Sequence, residues 1–367
     1  MKVSEKALTL RLIILAVTVL SWWFHACNTI EPEPPLPPLD TTSHNFAWTV
    51  QTLGDGNSSV LYDVAIVNDS LAYAVGEVYL RDSSGGFDPL PYNLANWNAK
   101  HWEVKRATVL YRGSNITPPL YAVFVLSPAE IWLSAGVPIF GDGQTWTQYH
   151  LFDMGVLTQN DGSILKLWAS SPSNAYFVGN RGTIVHYDGN NWQKLASGTT
   201  LTVRDIYGSV NPQSGALQVL AVASDPLSST DRAIFEITGS TVRPVSDAPI
   251  VWSVSTVWFV PGQRYYVAGS GIYERHLLSD PLWQNGPLDI THYYIEGIRG
   301  NALNDIFAVG GFGEVLHYNG ATWRSFKTVT GLANGNYHAV AVRGNLVIAV
   351  GIESGAGAVI AVGRRQP

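Results

Sequence analysis

Apolar and polar positions alternate with period two over short runs of this chain, and the runs come in groups of four. In the clearest group, residues 165–170 alternate as a strand, Ser-Pro-Ser-Asn at 171–174 reads as a turn, and 175–179 form a second strand ending in Gly179. Residues 180–182 turn again into a third run, 183–187. Asp188-Gly189 is a tight hairpin signal, because type I′ turns need positive φ, which Asn, Asp and Gly supply most easily. Residues 191–197 complete the group as a fourth strand carrying Trp192. Four antiparallel strands per repeat describe a β-propeller blade.

The same phrase returns seven times, as in Leu167-Trp-Ala-Ser-Ser-Pro-Ser-Asn-Ala-Tyr-Phe-Val-Gly179 and Ile298-Arg-Gly-Asn-Ala-Leu-Asn-Asp-Ile-Phe-Ala-Val-Gly310. The copies align on the residue that ends the second strand: Gly76, Gly136, Gly179, Ala223, Gly269, Gly310 and Gly351. Fourth-strand tryptophans come next at Trp102, Trp146, Trp192, Trp283 and Trp323, with Val242 in their place in copy four. Copy seven has no fourth strand. Residues 45–51, carrying Trp48, read as a lone fourth strand, and pairing them with copy seven removes two exposed edges. The pattern predicts an all-β, seven-bladed propeller of four-stranded antiparallel blades over residues 45–367, closed by its N-terminal strand.

Composition adds limits. Charged residues make up only 14% of the chain and the formal charge is -6 without a Lys/Arg cluster, so a basic nucleic-acid footprint is not expected. Lys2, Lys6 and Arg11 precede an apolar run, residues 12–24, too short for a comfortable membrane span, which reads as a signal segment over 1–26. The run ends at Cys27, the only cysteine, which therefore has no disulfide partner within the chain. Phe24-His-Ala-Cys27 resembles the lipobox of bacterial lipoproteins, although Phe24 and His25 are bulkier than that pattern's residues. The resemblance implies lipidation of Cys27 and a lipid-anchored place in the bacterial cell envelope, at the outer membrane. A plain signal peptide cleaved elsewhere, or an uncleaved anchor, is the alternative. Residues 27–44 are rich in proline, whose missing amide and fixed φ favour an extended tether.

The hairpins Phe140-Gly-Asp-Gly-Gln-Thr-Trp146, Tyr187-Asp-Gly-Asn-Asn-Trp192 and Tyr318-Asn-Gly-Ala-Thr-Trp323 resemble the Asp-box (BNR) turns of sialidase-like and photosystem-assembly-factor-like propellers. The aspartate that names the box falls on Gly141, Tyr187 and Tyr318, so the sialidase side of the resemblance is the weaker.

In such a strand order, second-to-third and fourth-to-next-blade loops share one face. The insertions 77–91, 107–119, 149–162 and 224–231 fall there, and 208–217 falls opposite. Long loops on a rigid scaffold are where binding is commonly placed. The candidates are Glu77, Tyr79, Arg81, Phe87, Tyr92 and His150 from the insertions, beside Tyr111, Arg112, Phe152 and Asp153. To these the positions after the blade glycines add Arg181, Asp225, Phe312 and Glu353, with Asn180 and Ser270, expected at the channel rim. Aromatic rings with interspersed polar groups suit a protein or glycan partner, and packing of the loops onto the disc explains the same rings without one.

Catalytic signals are thinner. A sialidase-like site would gather Arg181, Arg299 and Arg343 with Glu296 and Tyr293 or Tyr294, and a two-carboxylate glycosidase would set Glu77 against Asp225. No calcium loop, zinc spacing or nucleotide fingerprint appears, so no metal or cofactor is expected. His186 and His317, like Trp168 and Trp258, occupy equivalent repeat positions and read as blade residues. The leading expectation is a non-enzymatic, monomeric, envelope-tethered binding or scaffold module, with a carbohydrate-active enzyme as the alternative.

Overall fold

A computed structural model describes residues 40–55, 58–286 and 289–367. Cys27, the signal segment and most of the tether lie outside the described residues. Seven four-stranded antiparallel sheets form the blades, and their first strands touch one another in a closed ring around a central channel. Blade three runs Ile164–Ser171, Asn174–Gly179, Ile184–Tyr187 and Trp192–Leu195, within a few residues of the expected bounds. In blade seven the outermost strand is Phe46–Leu53, paired with Gly357–Arg365 from Phe46↔Arg365 to Leu53↔Ala358. The N-terminal strand therefore closes the ring, as the interrupted repeat requires.

Repeat positions pack alike from blade to blade. Trp168 lies on Gly208 of the next blade's first strand, where a Cβ would stand 2.6 Å from the indole; Trp258 and Gly300 repeat the contact at 3.0 Å. His186 stacks on Tyr176 and His317 on Phe307, each with centroids 4.3–4.4 Å apart, and their Nε2 atoms meet Asn174 and Asp305. These four residues are architecture, as their equivalence suggested.

One repeated irregularity matters for function. In six blades the ladder between first and second strands slips by one residue near the start of the first strand, and the residue left out is Tyr62, Leu165, Arg204, Ser255, Glu296 or His338. Blade two does the same in effect: Tyr121 donates its amide to the Ser134 carbonyl while Ala122 is that residue's register partner. Such a β-bulge turns the extra residue out of the ladder. The blade glycine makes room for it: a Cβ on Gly179 would stand 1.9 Å from the Ser163 carbonyl oxygen, and one on Gly310 1.9 Å from that of Tyr294. The glycine that punctuates the sequence is thus the partner of the bulge.

The channel mouth as candidate functional site

All seven bulge-position residues line one cavity of about 540 Å³ at the channel mouth, joined by Lys166, Thr202, Pro226 and Tyr294. It opens on the face of the second-to-third and fourth-to-first loops, where the first strands begin. Below it a narrower space of about 220 Å³ continues down the channel, sharing Lys166, Arg204, Glu296 and His338, and is bordered by Phe124, Trp168, Tyr207 and Trp258.

Charge in the channel is mostly matched. Lys166 pairs with Asp63 at 3.0 Å, spanning blade two. Arg299 holds both carboxylate oxygens of Asp205 at 2.8–2.9 Å, and Thr256 and the Val257 amide add bonds at 2.7 and 3.1 Å, so one network ties blades four, five and six. Burial alone would raise Asp205, but the Arg299 charge and these bonds hold it below the usual carboxylate range. Glu296 and His338 meet at 2.6 Å. Arg204 is different: its Nε donates to the Ser224 carbonyl at 3.0 Å, and no carboxylate among the described residues pairs with it.

The opposite wall is aromatic. Tyr62 lies 5.5 Å from Tyr121 and stacks on His338 at 6.3 Å. Burial, then the nearby charge of Glu77, pushes both phenols above their ordinary value, so they remain neutral donors. Tyr294 presents a hydroxyl that is buried without a hydrogen-bond partner.

The residues expected from sequence sit elsewhere. None of Glu77, Tyr79, Arg81, Phe87, Tyr92, His150, Arg181, Asp225, Phe312 and Glu353 lines either channel cavity. For those placed after the blade glycines this corrects the expectation. The second strand stands one ladder spacing, roughly 4.8 Å, outside the first, so the residues directly after it are held off the axis. Glu77 comes nearest, accepting a bond from the Tyr79 hydroxyl at 3.1 Å while its field reaches Tyr62 and Tyr121. Asp225 accepts from the Leu227 amide of its own loop, and Glu353 from the Ala333 amide of the connection between blades six and seven. Arg181 and Phe312 occupy equivalent loop positions and both take positive φ, 55° and 54°, which places two large side chains in a conformation usually left to glycine.

The insertion residues are largely spent on one another. Arg81 covers Phe87 at 4.3 Å, and Arg106 covers Tyr92 at 4.1 Å while pairing with Asp88. Buried Asn93 bonds Ala107 at both backbone atoms and the Pro118 carbonyl, which pins both ends of the 107–118 insertion. Tyr111 in that insertion stacks on His150 at 4.1 Å, and Arg112 pairs with Asp153. Loop packing accounts for most of these rings.

The three arginines of the sialidase-like arrangement do not converge. Arg299 is consumed by Asp205, Arg181 lies in a loop of the long-loop face, and Arg343 ends a first strand on the underside. Among the described residues no group of three or more His, Cys, Asp or Glu side chains is placed to hold a metal ion. Nor is any helix among them long and apolar enough to cross a membrane.

The outer crest of the same face is apolar. Of the fourteen exposed large hydrophobic side chains among the described residues, ten stand on its loops: Phe87, Leu90, Leu110, Phe152, Met154, Leu227, Val251, Trp252, Phe312 and Val329. Only Val210, Leu277 and Leu282 are on the underside, and Val50 is on a strand.

No family model and no curated protein matches the chain. Solved structures do. YCF48 bound to D1 peptide is similar at a TM-score of 0.60 and 17% identity, covering 87% of this chain and 97% of that one. YCF48 from Cyanidioschyzon merolae gives 0.59 and 16%, over 86% and 98%. The WD40 β-propeller domain of Doa1 gives 0.60 and 14%, over 87% and 97%. At these identities the likeness is one of fold, and it is the seven-bladed propeller read from the repeats.

Proposed function

We propose that the protein is a binding scaffold that holds a protein partner on its long-loop face. The observation that carries this reading is the concentration on that face of ten of the fourteen exposed large apolar side chains among the described residues. Apolar side chains left in solvent on one face are where a protein partner commonly docks. The similar fold of YCF48, whose structure holds D1 peptide, supports a peptide or protein as the partner class. In the finer form of the proposal the scaffold belongs to the bacterial cell envelope and is anchored by lipid on Cys27. The described chain enters the disc from the underside, where Thr42 bonds Asn319.

The experiment compares two triple variants in cross-linking of the intact protein in its native envelope. Phe87→Ser with Leu110→Ser and Trp252→Ser should abolish the partner cross-link, while Val210→Ser with Leu277→Ser and Leu282→Ser should leave it. Equal loss from both, or from neither, overturns the assignment of the face. Mass spectrometry of the mature N-terminus tests the anchor: a diacylated Cys27 is expected, and an unmodified terminus elsewhere overturns it.

A further inference from the structure

The geometry points to the channel mouth as a second, separate site that takes a carboxylate, bound by Arg204, with the ligand's apolar or aromatic body against Tyr62 and Tyr121. Among the described residues, Arg204 is the cation at the mouth that no carboxylate pairs with. Asp63 has Lys166, Asp205 has Arg299 and Glu296 has His338, whereas Arg204 has only a backbone carbonyl on Nε. The fixed Nε leaves the two Nη groups of a planar fork that suits a carboxylate.

The ligand class comes from that unpaired fork. One guanidinium matches the two oxygens of a single carboxylate, while a phosphate monoester carries nearly two negative charges and calls for further cations. Tyr294 lines the same cavity, and the Tyr62–Tyr121 wall offers a face for a ring. Pocket volume, about 540 Å³, admits a small acid or the end of a peptide. Both sources share the chemistry of one carboxylate beside an apolar group.

None of this requires a partner on the crest, so the two proposals fail independently. Isothermal titration of the intact domain would use phenylacetate, phenylacetamide, phenyl phosphate, and the tripeptide Gly-Gly-Phe with a free or an amidated C-terminus. The expected result is binding of the carboxylates, with the amides weaker by roughly tenfold or more. Arg204→Gln should erase that preference while the thermal midpoint stays within a few degrees, and Tyr121→Leu should weaken carboxylate and amide together. Binding of the free tripeptide without phenylacetate would assign the site to a chain end, and equal binding of both to a small acid. Amides equal to acids, phenyl phosphate preferred over phenylacetate, an unchanged preference in Arg204→Gln, or no binding at millimolar concentration would each overturn the proposal.

Discussion

The two faces of the disc spend their polar groups differently. On the underside, the polar groups beside the closing strand are spent on one another. Buried Asp305 accepts from His317, Arg365 and Asn301, and Arg365 also donates to the Ser43 carbonyl. His317 passes the network to His44, whose other nitrogen meets the Thr322 hydroxyl. Since ionised Asp305 can only accept, His317 carries its proton on Nε2, and His44 must donate from Nδ1 and accept from Thr322. The long-loop face instead keeps an unmatched guanidinium, an unpartnered phenol and a crest of apolar side chains. Groups left unspent by folding are the ones free to bind.

The contrast is broken most sharply by removing Asp305. Asp305→Ala strands Arg365 and His317 on the underside, and a loss of about 3 kcal/mol or more in unfolding free energy by chemical denaturation is expected. A loss under about 1 kcal/mol would mean that the closure does not depend on this network.

A smaller effect should come with pH. Burial, then the charges of His317, Arg324 and Arg365, lowers His44 to about 4. Burial likewise lowers His317, with Asp305 opposing and Arg365 assisting. A histidine depressed in the folded state binds protons better when unfolded, so its contribution is complete above its ordinary value of 6.5 and is lost as pH falls from there through about 4. The denaturation midpoint should drop across that window, and His44→Gln should flatten the drop. An equal slope in the variant would remove His44 from the account.

Next comes a gain on the underside. The third-to-fourth hairpins of blades two, three and six place Gly143, Gly189 and Gly320 at φ of 88°, 96° and 98°, while blade one uses Ala99 at 71°. In all four, an Asp or Asn at the turn start accepts from the two amides just beyond the positive-φ residue: Asn98, Asp142, Asp188 and Asn319. Relieving the alanine with Ala99→Gly should stabilise by about 1 kcal/mol, read as a raised midpoint. The smallest change belongs to the crest: Leu227→Ser and Trp252→Ser should each alter stability by no more than about 0.5 kcal/mol. A larger cost would mean that these side chains are holding the loops rather than awaiting a partner.

Much of the fold was legible because its signals are local. The blade glycines, the turn dipeptides and the fourth-strand tryptophans each act within their own blade, and the lone strand around Trp48 was implied by the copy that lacked one. The mouth was not legible in the same way, because the blade glycine draws the eye to its successors, such as Glu77, Arg181 and Phe312. The glycine marks instead a residue that precedes it. Tyr62, Leu165, Ser255 and Glu296 each stand fourteen positions before theirs, and Tyr121 and His338 within one of that. Arg204 breaks the count, because the underside loop of blade four is longer. That Arg204 lacks a carboxylate, while Arg299 has one, could not be read from spacing at all; pairing across blades is a property of the closed ring.

The bulges carry a consequence for descent. A residue outside the ladder can be exchanged without disturbing strand pairing, provided the small residue opposite it, glycine in six blades and Ala223 in blade four, is kept. Tyr, Tyr, Leu, Arg, Ser, Glu and His already share the seven places on an otherwise repetitive frame. The ring therefore works as a row of dials, with Glu296 coupled to His338 and Tyr62 to Tyr121. New ligand preferences can arise one substitution at a time, at little risk to the frame that displays them.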